Sequence, residues 1–401
     1  MSVRIPVPDG YIESIASDPS SLPEPVRTAL ESVRRHRFLD GWFRLEFNEL
    51  QADYHRVSFN RDNPCPENLA LVYSNRALVT AHDGLFPTSS TSQPSLVARM
   101  LELLDVSPGM KILEIGTGTG YNAALLAELG GIHSHVYTVE LQQDVAERAE
   151  RFLQEEGYGD VHVVHGDGFL GVEDGSPFDR IVATVGCSDI SPHWLEQLSA
   201  EGSSMLIPLQ HGATDPLVRL TRDPEDPQSA LGEVVDRSGF MKIQGALEWG
   251  NPWRTCRIRG LPEDPEWCRP FPGNLAVPEE SGHPFYEPNH WGFTFFLTIC
   301  SREIWYDNSG YGLADPGSKS IVKFTKQGIE GVSVGQDAAA LERLYERLLS
   351  LHQAWTDLGS PSPSDYTLCF TPKNRVGPAS LDPLREWCIE RPYFLETIRL
   401  P

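Results

Sequence analysis

Ile112-Leu113-Glu114-Ile115-Gly116-Thr117-Gly118-Thr119-Gly120 decides how this chain is read. A short apolar strand carries an acid near its end, and a turn with glycine at every second position follows directly. The next residues, Tyr121-Asn122-Ala123-Ala124-Leu125-Leu126-Ala127-Glu128-Leu129, place apolar side chains at helical spacing. Strand, glycine turn and helix together make a nucleotide-type pocket, since glycine lets backbone approach a ligand where a Cβ would collide. The spacing is Gly-x-Gly-x-Gly, and Tyr121 stands where the dinucleotide fingerprint Gly-x-Gly-x-x-Gly needs glycine.

Outward from this turn, residues 88–215 alternate strand and helix signals. Helices are expected over 93–104, 121–129, 141–156 and 191–200, and strands over 111–115, 135–140, 161–165, 178–185 and 203–209. Such alternation implies an α/β fold whose sheet is mainly parallel, with helices on both faces. Its ligand lies over the carboxyl ends of the strands. Glu114, Glu140 and Asp167 fall near such ends. Glu140 is placed to accept both hydroxyls of a ribose, and Asp167, in His165-Gly166-Asp167-Gly168, to accept from an adenine amine. A lone acid at a strand end is ordinarily a solvated loop residue; three in order behind a glycine turn point to a ligand. A glutamate ahead of the first glycine suits a cationic amino group better than a pyrophosphate. S-adenosylmethionine is such a ligand.

At 401 residues, two or three compact units are expected. A net charge of −23 argues against attraction to polyphosphate, and no basic-aromatic stripe marks a nucleic-acid surface. Arg34-Arg35-His36-Arg37 is a local exception, read as a solvated helix face. The seven cysteines are scattered and never form Cys-x-x-Cys, and no apolar run is long enough to cross a bilayer. A cytoplasmic protein is the expectation, with no membrane or nucleic-acid partner. Cys256, Cys268, His283 and His290 match no standard zinc spacing, so no metal is expected.

Four segments carry the chain's resemblance to a known family: Thr91-Ser92-Gln93-Pro94, the Glu114–Gly120 loop, His165-Gly166-Asp167-Gly168 and Phe178-Asp179-Arg180-Ile181-Val182-Ala183-Thr184. Over roughly residues 68–220 the chain resembles the protein-L-isoaspartate O-methyltransferases. The loop by itself says only class I methyltransferase, and the Ser-Gln-Pro segment narrows it to this family. The resemblance implies a Rossmann-like, seven-stranded, mainly parallel sheet. It also implies S-adenosylmethionine held through Glu114, Gly116, Thr117, Gly118, Gly120, Glu140, Leu141, Asp167, Gly168 and Thr184. Thr91 and Ser92 become the catalytic candidates, because the family places this Ser near the substrate carboxyl.

Thr88-Ser89-Ser90-Thr91-Ser92 also has a purely structural reading, with Ser92 as helix N-cap and Pro94 in the first turn. Cys187 is read as packing, since methyl transfer needs no thiol nucleophile. Around this core, residues 1–80 are expected to form a mostly helical extension, with short strands near 69–73 and 77–80. Residues 81–222 form the methyltransferase core, 223–236 an Asp-Pro-rich linker, and 237–401 a separate α+β domain. In that domain 290–299 reads as a strand and 337–358 as a helix.

Two uses of one chemistry follow for a peptide or protein substrate presenting Asp or isoaspartate. Methylation of the carboxyl and closure to a succinimide (aspartimide) repairs isoaspartyl damage, or tailors a ribosomally made peptide. The long C-terminal region is similar to that of bacterial homologues found with modified-peptide pathways, which favours tailoring, with the extra domain as a peptide clamp. A nucleic-acid or small-molecule methyltransferase and a non-catalytic binding protein are the alternatives.

Overall fold

The computed structural model describes residues 5–16, 22–47, 52–212, 214–248, 254–255, 268–271, 288–307, 310–325, 328–375, 382 and 385–401. The chain forms two compact units and passes between them repeatedly. One contains Met1–Pro208, Arg219–Gln228 and Gly239–Glu248; the other contains Leu209–Val218, Ser229–Ser238 and Trp249–Pro401.

The first unit opens with helices α1 (Tyr11–Ile15) and α2 (Glu24–Ser32). Pro25 sits in the first turn of α2, where its missing N–H costs nothing, and Val26, Ala29 and Leu30 face inward. Strands β1 (Gly41–Phe47) and β2 (Ala52–Ser58) then pair antiparallel, from Gly41 opposite Ser58 to Phe47 opposite Ala52. Helix α3 (Pro66–Val72), β3 (Leu78–His82) and β4 (Pro87–Thr91) follow, and the sheet runs β2-β1-β3-β4. This corrects the mostly helical expectation for residues 1–80. It also turns the strand expected at 69–73 into α3, where Pro66 opens the helix and Glu67 favours its positive end. Five apolar residues in a row do not by themselves distinguish the two structures.

Helices α4 (Pro94–Leu104), α5 (Tyr121–Gly130), α6 (Gln143–Glu156) and α7 (Pro192–Gln197) alternate with β5 (Lys111–Ile115), β6 (His135–Glu140), β7 (His162–His165), β8 (Arg180–Ala183) and β9 (Ser204–Pro208). These strands are parallel, in the order β9-β8-β5-β6-β7. Chain order therefore reverses between β5 and β8, and the carboxyl ends of those strands border the crevice in which such sheets bind ligands.

The Arg-rich run is not a solvated face. Arg35 and His36 are fully buried, and Arg34 and Arg37 both reach the carboxylate of Glu156 on α6 at 2.6 Å.

In the second unit, β11 (Ala230–Arg237; β10 being Pro216–Arg222) occupies the expected linker and pairs antiparallel with β18 (Thr367–Pro372). Strand β18 pairs with β20 (Phe394–Arg399), which pairs with β19 (Glu386–Glu390). Residues 239–248 belong to the first unit, so the boundary expected at 237 is also displaced.

A six-stranded sheet in the order β12-β14-β15-β16-β17-β13 uses Arg254–Thr255, Glu303–Asp307, Gly310–Asp315, Ser320–Thr325, Gly328–Ser333 and Cys268–Phe271. The segment read as a strand over 290–299 lies in helix α8 (Pro288–Cys300). Every residue from Phe293 to Ile299 is buried, so the sequence shows no polar face to reveal the helical period. Helix α9 (Ala338–Asp357) matches expectation, capped by Asp337, whose carboxylate accepts from Ala340 N at 2.9 Å.

Candidate active site

One pocket of the first unit gathers the glycine turn, β4, the start of α4, and residues 239–244. Its floor is the end of β5. Gly116, at φ 98°, has space only for hydrogen: an added Cβ would stand 2.9 Å from Thr184 Oγ1 and 3.0 Å from Val185 Cγ1. Thr184, at the end of β8, donates its hydroxyl to Gly116 O at 2.6 Å and so joins the two strand ends at the switch point. Gly118 (φ 55°) leaves room for Ser90 O, 3.2 Å from where its Cβ would lie.

Glu114 is fully buried and, among the described residues, accepts only from neutral donors, Asn122 Nδ2 at 2.8 Å and Thr138 Oγ1 at 2.6 Å. Burial is the main cause that pushes its carboxyl up to about 7; the two donors oppose it, and Glu140 nearby adds to it. A buried acid in a pocket wall without a cation opposite it fits a ligand that brings a positive charge, as the amino group of S-adenosylmethionine does. Glu140 ends β6 and accepts from Gly118 N at 2.9 Å and Gln142 N at 3.1 Å, which locks the turn against it; burial raises its carboxyl as well.

Of the ten residues read as cofactor-binding, Glu114, Gly116, Thr117, Gly118, Glu140, Leu141, Gly168 and Thr184 line this wall. Two expected residues do not. Asp167 stands behind the wall with both oxygens engaged, Oδ1 by Phe169 N and Oδ2 by Ala246 N, each at 2.9 Å. It pins residues 245–247, and each oxygen keeps a second lone pair. Gly120 (φ 82°) permits the left-handed start of α5 and a close approach to Leu153 of α6.

The opposite wall is the row of hydroxyls at 88–92, and the structure sorts them. Thr88 Oγ1 donates to Gln142 Oε1 while Gln142 Nε2 returns a bond to Thr88 O, both at 3.0 Å. Ser89 Oγ accepts from Thr80 at 3.1 Å. Thr91, buried, accepts from Arg35 Nε at 3.4 Å, so its hydroxyl positions the loop. Ser90 and Ser92 also line the pocket, and among the described residues their hydroxyls make no side-chain hydrogen bond. Ser92 is not the helix cap. Gln93 takes that place without a side-chain bond, and Asn75 Oδ1 accepts from Ser95 N at 3.0 Å instead.

Arg35 had no sequence signal beyond its charge. Fully buried, it donates to the carbonyls of Val72, Ser74, Arg76, Thr91 and Ser92, and thereby fixes the backbone that presents Ser92. Asn122 and Thr138 were also missed, although Asn122 is the lone uncharged polar side chain in the otherwise apolar start of α5. Cys187 is buried, consistent with packing. Cys256 and His283 lie outside the described residues, and among the described residues no cluster of metal-ligating side chains occurs.

A parallel sheet with its switch point at β5 and β8, a glycine turn and a buried acid define a class I S-adenosylmethionine-dependent methyltransferase. The chain belongs to the protein-L-isoaspartate(D-aspartate) O-methyltransferase family, whose profile matches residues 20–235. It is 41% identical over 176 residues to a protein-L-isoaspartate O-methyltransferase of Gloeobacter violaceus, covering 44% of this chain and 78% of that one. The protein of that name from Methanothermobacter thermautotrophicus is 35% identical over 200 residues, covering 50% and 74%. A solved protein-L-isoaspartate O-methyltransferase structure matches 87% of this chain and 92% of its own length, at 25% identity and a TM-score of 0.50. The protein is an S-adenosylmethionine-dependent protein carboxyl O-methyltransferase. Among the described residues no helix is long and apolar enough to cross a membrane.

Proposed function

We propose that the protein methylates the side-chain carboxylate of Asp, or the free carboxylate of isoaspartate, in a peptide, and that the ester closes to a succinimide. The observation that carries this reading is the hydroxyl wall at Ser90 and Ser92 facing the glycine turn. Bound S-adenosylmethionine supplies an electrophilic methyl group, which the substrate carboxylate takes as its methyl ester. A carboxylate with a pKa near about 4 is already ionised at neutral pH, so the site needs no general base. Its residues orient the acceptor by hydrogen bonds and keep water away from it. The ester is then a better leaving group than the carboxylate, and the following backbone nitrogen displaces methanol to close the ring.

Of the two uses of this chemistry, we favour tailoring of a ribosomally made peptide in the cytoplasm, with the second unit as a recognition domain. A protein committed to one peptide can spend remote binding energy on orientation. Repair of isoaspartyl damage is the second reading. The solved relative that matches 87% of this chain favours it, because a chain of this extent is not peculiar to tailoring.

Labelled methyl transfer to matched Asp and isoaspartyl peptides separates the two. Turnover of the Asp peptide, followed by loss of water from its mass, supports tailoring. Turnover of the isoaspartyl peptide alone establishes repair.

A further inference from the structure

Among the described residues, the pocket wall contains only three charged side chains: Glu114, Glu140 and Lys242. The two acids belong to the cofactor end. Lys242 stands alone among them as a cation, exposed, in a segment just beyond the residues that the family profile matches. Its backbone is nevertheless held in place. Its neighbours bond to Gly186 on both sides, through Met241 O to Gly186 N at 2.8 Å and Ile243 N to Gly186 O at 3.0 Å. Asp167 and Ser188 hold the same segment further on, at Ala246 N and Leu247 O.

Charge limits Lys242 to an anion, and unchanged S-adenosylmethionine affinity on its replacement distinguishes a peptide carboxylate from that of the cofactor. The methyl-accepting carboxylate loses its charge during transfer. A cation paired with it would stabilise the reactant more than the transition state and slow the reaction. Neutral hydroxyls suit that carboxylate, and they line the opposite wall. A protein of net charge −23 also repels acidic peptides at a distance, so a single cation in the pocket acts as a local test for negative charge. Resting on the peptide methylation proposed above, we propose that Lys242 is a specificity-determining residue. It recognises a second carboxylate of the substrate, beside the one that is methylated.

That carboxylate can be a neighbouring Asp or Glu side chain or the peptide's own C-terminus. The test uses peptides with the same target Asp or isoaspartate: one with Glu beside it, one with Gln, and each with a free or an amidated C-terminus. Wild type, K242A, K242R and K242E are compared by kcat, KM and calorimetric peptide affinity. The expected result is an advantage of about fivefold in KM for one acidic form, typical of the upper range for an exposed ion pair. It shrinks with added salt, disappears in K242A, persists in K242R and reverses in K242E, with S-adenosylmethionine affinity unchanged throughout. Which arm shows it identifies the source of the carboxylate. Equal KM for all four peptides, or the same preference in K242A, overturns the role of Lys242 while leaving the methylation reading intact. No transfer to any peptide overturns both.

Discussion

Burial raises Glu114 to about 7, so near neutral pH the free protein holds a partly ionised acid that, among the described residues, accepts only from neutral donors. Between its ordinary value of 4.5 and about 7 the folded state binds more protons than the unfolded one. Stability from this group therefore falls as pH rises through that window. A cationic ligand reverses the preference, so S-adenosylmethionine affinity should increase with pH up to about 7 and then level off. Calorimetric titration of wild type and Glu114→Gln across that range checks this, and the variant should bind about tenfold more weakly with no such slope. Ser92→Ala should lower kcat by about 100-fold, as misplacement of the acceptor it orients does, while cofactor affinity and thermal stability hold. Equal loss of transfer and cofactor binding would make Ser92 structural.

Elements hold these residues in register. The β5–α5 junction works only with hydrogen at Gly116, where φ 98° and the nearby Thr184 and Val185 exclude a Cβ. Gly116→Ala should abolish measurable cofactor binding and lower the melting temperature, read by calorimetry and a thermal melt. The β4–α4 junction depends on Arg35, whose bonds all go to neutral oxygens. Arg35→Ala orphans several buried carbonyls and should cost about 3 kcal/mol or more in a denaturant titration. Its effect on kcat should exceed that on cofactor affinity, because the loop it fixes carries Ser92.

Across the whole molecule, chain order and unit membership diverge. Removing everything after residue 236 takes away Gly239–Gln244 from the pocket and β18 from its pairing with β11. Such a truncation should lose cofactor binding and aggregate through the uncovered strand edge, monitored by light scattering. The second unit has its own buried charge network. Glu396 accepts from Arg391 at 2.7 Å and lies 3.4 Å from His211, all three fully buried. Burial alone would raise Glu396, but Arg391 and His211 outweigh it and hold the carboxyl down to about 2. Its contribution is present above its ordinary 4.5 and is lost as pH falls toward 2. Glu396→Gln should flatten that part of the acid-denaturation curve and, at neutral pH, destabilise by about 3 kcal/mol, because Arg391 loses its charge partner.

The sequence by itself determined the parallel α/β core, the glycine turn and the strand-end acids Glu114 and Glu140, because these obey local rules: strict periodicity, glycine where no Cβ fits, an acid at a strand terminus. It also singled out the hydroxyl row at 88–92. Only the tertiary structure told these hydroxyls apart, since Thr88, Ser89 and Thr91 bond to Gln142, Thr80 and Arg35, partners up to 56 residues away. It likewise showed Asp167 holding residues 245–247, and made a helix of 290–299. Periodicity is blind where a segment is buried on every side. Long-range hydrogen bonding, which assigned Ser92 its freedom and Lys242 its place, leaves no mark on local sequence.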